Sequence, residues 1–72
     1  MDARRTFYEV RFDHEHVRGG QIVQDIGYVK SVYGEHTQDV YVRYPVEGEF
    51  QYAWIPQSNL MPTAAPDTWL AG

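Results

Sequence analysis

The chain has 72 residues, enough for one domain, and it has no cysteine, which excludes disulfide bonds and a thiolate zinc site. Ten acidic and six basic residues give a net charge of −4, which argues against nucleic acid as a partner because phosphate binding needs a clustered basic surface. No apolar run approaches the roughly 18 residues of a membrane span, and the first residues do not resemble a signal peptide. We therefore expect a soluble, intracellular protein.

The first half of the chain predicts two strands joined by a polar loop. Residues 6–12 alternate with a period of two, which places Tyr8, Val10 and Phe12 on one face of a half-buried strand. Residues 13–20 are polar and end in a glycine pair, which is typical of a loop. A short extended piece is predicted at 21–23, and a second strand at 28–33 follows Gly27.

The second half predicts three more strands. The third covers 39–44 and has Val40 and Val42 on one face; a turn at 45–49 separates it from a fourth strand at 50–55. Pro56 ends the fourth strand because proline cannot donate to the ladder. A helical turn at 56–59 and a short last strand at 60–61 complete the pattern.

Short strands separated by turns predict an all-β domain, and about 55 ordered residues suit a five-stranded small barrel better than a two-sheet sandwich. The predicted organisation is an N-terminal extension at 1–5, the barrel at 6–62 and a flexible C-terminal tail at 63–72. We expect the inward positions to be aliphatic and small side chains, namely Val29, Val32, Val40, Val42, Ala53, Ile55 and Leu60.

The order of features from Gly27 onward resembles the SH3-like small barrels and, within them, the Tudor-type modules of the royal family. Those domains show a glycine before a valine-bearing strand, a V-x-V-x-aromatic strand, an aromatic strand, and a helical turn before a final leucine. The corresponding segments here are 27–29, 40–44, 52–55 and 56–60. The resemblance covers about half of the chain. It implies an SH3-like barrel with a helical turn before its last strand.

The resemblance also implies a non-catalytic module that recognises a protein or peptide segment, including a basic or methylated one, through an exposed aromatic surface. A methylammonium group is held over ring faces with an anion nearby. The predicted recognition residues are Tyr28, Tyr33, Tyr44, Tyr52 and Trp54, with Asp39 and Glu49 as the acidic groups. The competing interpretation of the same rings is that Phe50 and Trp54 only cover the barrel, while the tyrosines keep their hydroxyls at its rim.

The three histidines allow a metal hypothesis. His14 and His16 point the same way in an extended chain and could clasp one ion, with His36 as a third ligand. Solvated loop residues are the simpler interpretation, since structural zinc usually takes four ligands. We predict neither a metal nor another cofactor.

Catalysis has little support in the sequence. Neither Ser31 nor Ser58 lies in a nucleophile context, and Gly19-Gly20 is not followed by a helix that could form a phosphate loop. The plasmid-type dihydrofolate reductases, SH3-like barrels that work as tetramers, are similar at residues 20–23 and in the short final strand, which leaves an oligomeric reductase as a minor alternative.

A structural or assembly subunit is the main alternative to a binding module. Its aromatic face would form a homo- or hetero-oligomer interface, so the chain is expected to be a monomer or a small homo-oligomer. The apolar pair Trp69-Leu70 in the tail has three possible fates: folding back onto the barrel, docking into a partner, or remaining frayed.

Overall fold

A computed structural model describes residues 6–31, 38–66 and 69 of the chain. The described part is mostly antiparallel sheet with a single 3-10 turn, and the predicted all-β class with a helical turn before the last strand is confirmed. Its elements in chain order are β1 (Phe7–Val10), β2 (Ile22–Ser31), β3 (Gln38–Val46), β4 (Glu49–Pro56), the 3-10 turn (Gln57–Asn59) and β5 (Leu60–Thr63).

The five strands form one sheet in the order β4-β3-β2-β1-β5. The long strand β2 pairs with β1 through its first residues and with β3 along its length. Strand β5 returns to pair with β1 after the 3-10 turn. All of these pairings are antiparallel, and residues from every strand meet in one buried cluster, so the sheet curls around a single core.

The core contains most of the predicted inward positions. Val40, Val42, Ala53, Ile55 and Leu60 are buried, as expected from the strand alternation. They pack with buried residues from β1, β2 and the first loop, namely Val10, Val17 and Val23.

The prediction for Val29 is wrong: its side chain is 55% exposed. Beyond Asp25, strand β2 pairs with β3 alone among the described strands, because the β1 pairing ends at Gln24. In the described part of the chain, the inward side of β2 beyond Asp25 is therefore not covered by β1 and β5, which lie beside the first residues of the strand. Val32 lies outside the described residues.

Strand β1 is shorter than predicted, and Phe12 does not continue its buried face. The strand ends at Val10, and the Phe12 side chain is 69% exposed. The backbone N–H of Arg11 donates to the Asn59 carbonyl at 2.9 Å, which directs the chain away from the sheet toward the 3-10 turn.

Strand β2 is continuous where two separate pieces were expected. The Asp25 carboxylate accepts a hydrogen bond from the Gly27 N–H at 2.7 Å, and Gly27 has a φ of 99°. The register against β3 shifts between Asp25 and Val29, so this glycine forms an irregularity within the strand and does not end it. Glycine is required here because other residues rarely adopt a positive φ.

The turn between β3 and β4 is also tighter than the predicted 45–49. Both Pro45 and Val46 belong to β3, and only Glu47 and Gly48 connect the strands. Their φ values of 51° and 86° are those of a type I′ turn, whose twist matches that of a two-residue hairpin.

Hydrogen bonds hold the first loop, residues 13–20, at both of its ends. The Asp13 carboxylate accepts from the Gly19 N–H at 2.7 Å, while His14 and Val17 exchange backbone hydrogen bonds of 2.8 and 2.9 Å. The Asn59 side chain accepts from the Phe12 N–H at 3.0 Å and donates to the Phe12 carbonyl at 2.9 Å. These bonds hold the buried Val17 in the core and join the loop to the 3-10 turn.

The substitution Asn59→Ala is expected to lower the free energy of unfolding by about 1–2 kcal/mol, because it removes both side-chain hydrogen bonds to Phe12. Urea unfolding followed by tryptophan fluorescence measures the change. The exposed neighbour Ser58 provides the control, since Ser58→Ala should stay within about 0.5 kcal/mol of the parent. Equal effects of the two substitutions would show that Asn59 does not fasten the loop.

Candidate functional site

The aromatic residues of β3 and β4 that do not enter the core share the opposite face of the sheet. Partners in an antiparallel ladder point to the same side, and the register pairs Tyr41 with Trp54 and Arg43 with Tyr52. Because Val40 and Val42 point into the core, the residues between and after them point outward. We call this side of the sheet the outer face.

Three rings on the outer face lie against a fourth, that of Tyr41. The centroid of the Tyr41 ring lies 4.7 Å from that of Trp54, 5.8 Å from that of Tyr52 and 6.3 Å from that of Tyr28. Tyr28 is 63% exposed and Tyr52 45% exposed, while the other two rings are half-buried. We call these four residues, Tyr28, Tyr41, Tyr52 and Trp54, the outer aromatic cluster.

Cationic side chains of the chain itself cover two ring faces on this side. The Lys30 ammonium lies 4.5 Å from the centroid of Trp54, and the Arg43 guanidinium lies 4.1 Å from that of Phe50. Arg43 is held in place because its Nε donates to the Gln24 side-chain oxygen at 2.7 Å. The outer face can thus attract cations. A methylammonium ligand at Trp54 would have to displace Lys30.

Three rings of the outer aromatic cluster lie against the ring of Tyr41: Tyr52 stacks on it at an interplanar angle of 23°, Trp54 is tilted at 35°, and Tyr28 meets it edge-on at 67°. A methyl-lysine cage instead needs rings that surround a space for one ammonium group. In this arrangement the rings of Tyr28 and Tyr52 are the most exposed of the four.

Trp69 adds to the same side of the molecule. Its ring meets Phe7 edge-on at 5.1 Å and Phe50 at 5.7 Å. Phe7 is buried, although it alternates with the core-facing residues of β1. Of the three fates considered for Trp69-Leu70, folding back onto the barrel is the one observed for Trp69; Leu70 lies outside the described residues.

The predicted recognition residues divide between two faces. Tyr28, Tyr52 and Trp54 come together in the outer aromatic cluster. Tyr44 does not join them, because it shares the inward face of Val42 and its side chain is only 3% exposed. Tyr33 lies outside the described residues.

The Tyr44 side chain is buried in the core together with its hydroxyl group. Its oxygen has no hydrogen-bond partner among the described residues, and burial raises the pKa of this phenol above its ordinary value. The His16 ring from the first loop lies 6.1 Å from the Tyr44 ring, which places the tip of that loop against the inward side of β3.

The two predicted acidic groups lie at opposite ends of the central hairpin. Asp39 pairs with Lys30 across the β2–β3 ladder and with Pro56 across the β3–β4 ladder, and it is half-buried. Glu49 lies beside the β3–β4 turn, at the opposite end of the hairpin from Asp39.

The metal hypothesis receives no geometric support from residues 6–31 and 38–66. His14 is tied to Val17 by the loop hydrogen bonds, and His16 is directed toward Tyr44. These segments hold no group of three or more histidine or acidic side chains able to bind one ion. His36 lies outside them.

The sequence-based prediction missed Tyr41, the residue at the centre of the cluster. The signal was present, because Tyr41 alternates with Val40 and Val42 and must therefore lie opposite the core. Tyr44 was chosen as a recognition residue although it shares the valine face. Consistent use of the two-residue strand period would have selected Tyr41 as a recognition residue and assigned Tyr44 to the core.

No protein-family model matches this chain, and no match was found among curated proteins or among solved structures. In the described part of the chain, none of the helical segments has the length and apolar character needed to cross a membrane.

Proposed function

We propose that this chain is a non-catalytic binding module that recognises an extended peptide segment of another protein through the outer aromatic cluster. The observation that carries the proposal is the contact of three rings with that of Tyr41 on the face opposite the core, with Tyr28 and Tyr52 largely exposed. Contiguous aromatic surface of this kind marks interaction sites on small proteins. The resemblance to SH3-like barrels of the Tudor type agrees with this function.

The cluster is supported by a rigid scaffold. Tyr41 and Trp54 are partners in the central hairpin, whose opposite side is filled by the fully buried Val42 and Ile55. The rings therefore keep their positions without a ligand, and rigid aromatic side chains lose little entropy when a partner docks on them. Preorganisation of this kind favours affinity.

The chemistry of the surface bears on the ligand. The net charge of −4 favours the approach of a basic segment over long range. At short range, Lys30 already covers Trp54, so apolar or aromatic ligand side chains fit the open rings of Tyr28 and Tyr52 better than an ammonium group does. We propose a segment whose main contacts are apolar, with flanking basic residues.

An amide-resolved NMR titration tests the function. Three peptides serve as probes: an apolar segment flanked by arginines, a lysine-rich segment, and the same lysine-rich segment trimethylated. We expect the apolar probe to shift the signals of the outer aromatic cluster, and Tyr28→Ala to weaken its binding about tenfold, since exposed aromatic anchors contribute ~1–2 kcal/mol.

Two variants serve as controls in this titration. Phe12→Ala removes an equally exposed aromatic ring outside the cluster and should leave the affinity unchanged. Lys30→Ala uncovers Trp54 and should strengthen binding only for a probe whose ammonium group competes with Lys30. If all three probes leave the cluster signals unchanged at millimolar concentration, the proposed peptide site is wrong.

A further inference from the structure

In the described part of the chain the sheet has two edges, and they differ in how well they are protected. Strand β5 forms one edge; it is short and contains Pro62, which has no N–H to offer a neighbouring strand. Strand β4 forms the other edge and is twice as long. No described residue pairs with the free side of β4. Natural proteins usually block such an edge with lysine, proline or a bulge, or cover it.

The sequence of β4 has none of these protective features between its ends. Residues 50–55 contain no charge, no glycine and no proline, and they are rich in aromatic residues. Segments of this composition on an open edge favour pairing with another strand. Glu49 and Pro56 mark the limits of the unprotected stretch.

The tight turn determines which backbone groups of β4 face the open side. In a two-residue hairpin the pair that flanks the turn, here Val46 and Glu49, exchanges both hydrogen bonds, and every second pair does so thereafter. Gln51, Ala53 and Ile55 thus bond to β3. The N–H and C=O groups of the alternate residues point to the open edge; these residues are Phe50, Tyr52 and Trp54.

The prolines agree with this assignment. Pro45 lies opposite Phe50 and Pro56 lies opposite Asp39, which are both pairs that exchange no hydrogen bonds. A proline at a position that bonds to the facing strand would leave a carbonyl of that strand without its donor. The exposed backbone groups thus belong to the residues whose side chains form the aromatic part of the outer face.

We propose that β4 is a self-association edge: two copies of this chain pair antiparallel through β4, about a twofold axis at Tyr52. In this register Tyr52 faces Tyr52 of the second copy, and Phe50 faces Trp54 of the second copy on either side. Each of these three residues then donates one hydrogen bond and accepts one across the edge. All of the open N–H groups in this stretch find partners.

Neighbouring registers are less favourable. A shift by one residue would place outward side chains opposite inward ones. If the axis moves to Ala53, outward side chains still lie opposite outward side chains. Phe50 then faces Pro56 of the second copy, which has no N–H to donate. With the axis at Tyr52, the three open residues of one copy pair with the same three residues of the other.

The charge distribution favours a second copy as the occupant. Glu49 is the only charged residue of β4. In the proposed register the two Glu49 residues lie at opposite ends of the pairing, about 20 Å apart at roughly 3.3 Å per residue. Aromatic side chains meet aromatic side chains, which are favoured cross-strand partners. The two outer aromatic clusters become one continuous surface across the dimer.

The inference does not depend on peptide binding, and its test needs no ligand. Sedimentation velocity and light scattering over a range from about 10 µM to 1 mM should show a reversible monomer–dimer equilibrium. The variant Tyr52→Lys sets two like charges against each other on the axis and should weaken association at least about tenfold. Tyr28→Lys places the same charge on the outer face away from the edge and should leave association unchanged.

Amide hydrogen exchange on the unmodified chain gives a second measurement that does not rely on a variant folding. At low concentration the amides of Phe50, Tyr52 and Trp54 should exchange fast while those of Gln51 and Ala53 are protected; at high concentration all five should be protected. A monomer at millimolar concentration would overturn the proposal and leave the edge to another partner. Association that is lost with Tyr28→Lys but kept with Tyr52→Lys would place the interface on the outer face instead.

Discussion

Proline at Ala53 is expected to unfold the domain, whereas proline at the adjacent Tyr52 is expected to leave it folded. Ala53 is buried and pairs with Val42 in the middle of the central hairpin, where its N–H bonds to β3. Proline there removes that bond and disrupts the pairing, which costs about 3 kcal/mol or more. By the same register the N–H of Tyr52 points away from β3, where a proline removes no hydrogen bond between described residues.

Urea unfolding of both proline variants measures this difference. Ala53→Gly and Tyr52→Ala provide controls that remove the side chains and retain the N–H groups. We expect Tyr52→Pro to fall within about 1 kcal/mol of Tyr52→Ala, and Ala53→Pro to lack a cooperative transition. Equal loss of structure in the two proline variants would refute the assignment of edge-facing groups in β4.

Trp69→Ala is expected to lower the free energy of unfolding by about 2 kcal/mol. The Trp69 ring is half-buried between Phe7 and Phe50, and it covers the outward side of β1, where Phe7 would otherwise be exposed. Full truncation of a buried aromatic costs about 3–5 kcal/mol, so the half-buried ring should lose a proportion of that amount. Scanning calorimetry of the full chain measures the effect.

Phe12→Ala is the matched control for Trp69→Ala, because it removes an exposed ring that lies outside the core cluster. Its effect should stay within about 0.5 kcal/mol. A double-mutant cycle between Trp69→Ala and Phe7→Ala should show a coupling of ~0.5–1.5 kcal/mol, which is typical of edge-to-face pairs. If Trp69→Ala matches the Phe12 control, the segment around Trp69 does not contribute to the fold.

The strand pattern was predictable from the sequence because its causes are local. Alternation of Val40, Tyr41 and Val42 assigns opposite faces whatever the strand packs against. Pro56 ends β4 and Leu60 begins β5 for equally local reasons. The interruption expected near Gly27 did not occur, because β2 pairs with β3 on both sides of the irregularity at this glycine.

The candidate site was predictable only in part. Tyr52 and Trp54 were assigned correctly to one face of the fourth strand, and Tyr28 joins them through the β2–β3 pairing. Tyr44 was misplaced because aromatic identity was weighted above strand period. Lys30 covers Trp54 because of the register between β2 and β3, and this register could not be predicted from the sequence.

The amino-acid sequence by itself determined a small all-β domain without cysteine, its strand faces and the excess of rings over inward positions, since these follow from composition and from a period of two. Only the tertiary structure decided three things: that Val29 is exposed, that Trp69 contacts Phe7, and that β4 has no strand partner on one side among the described residues. Each depends on which segments distant in the chain lie side by side. Such neighbours are chosen by the packing of the whole sheet, and no local pattern encodes them.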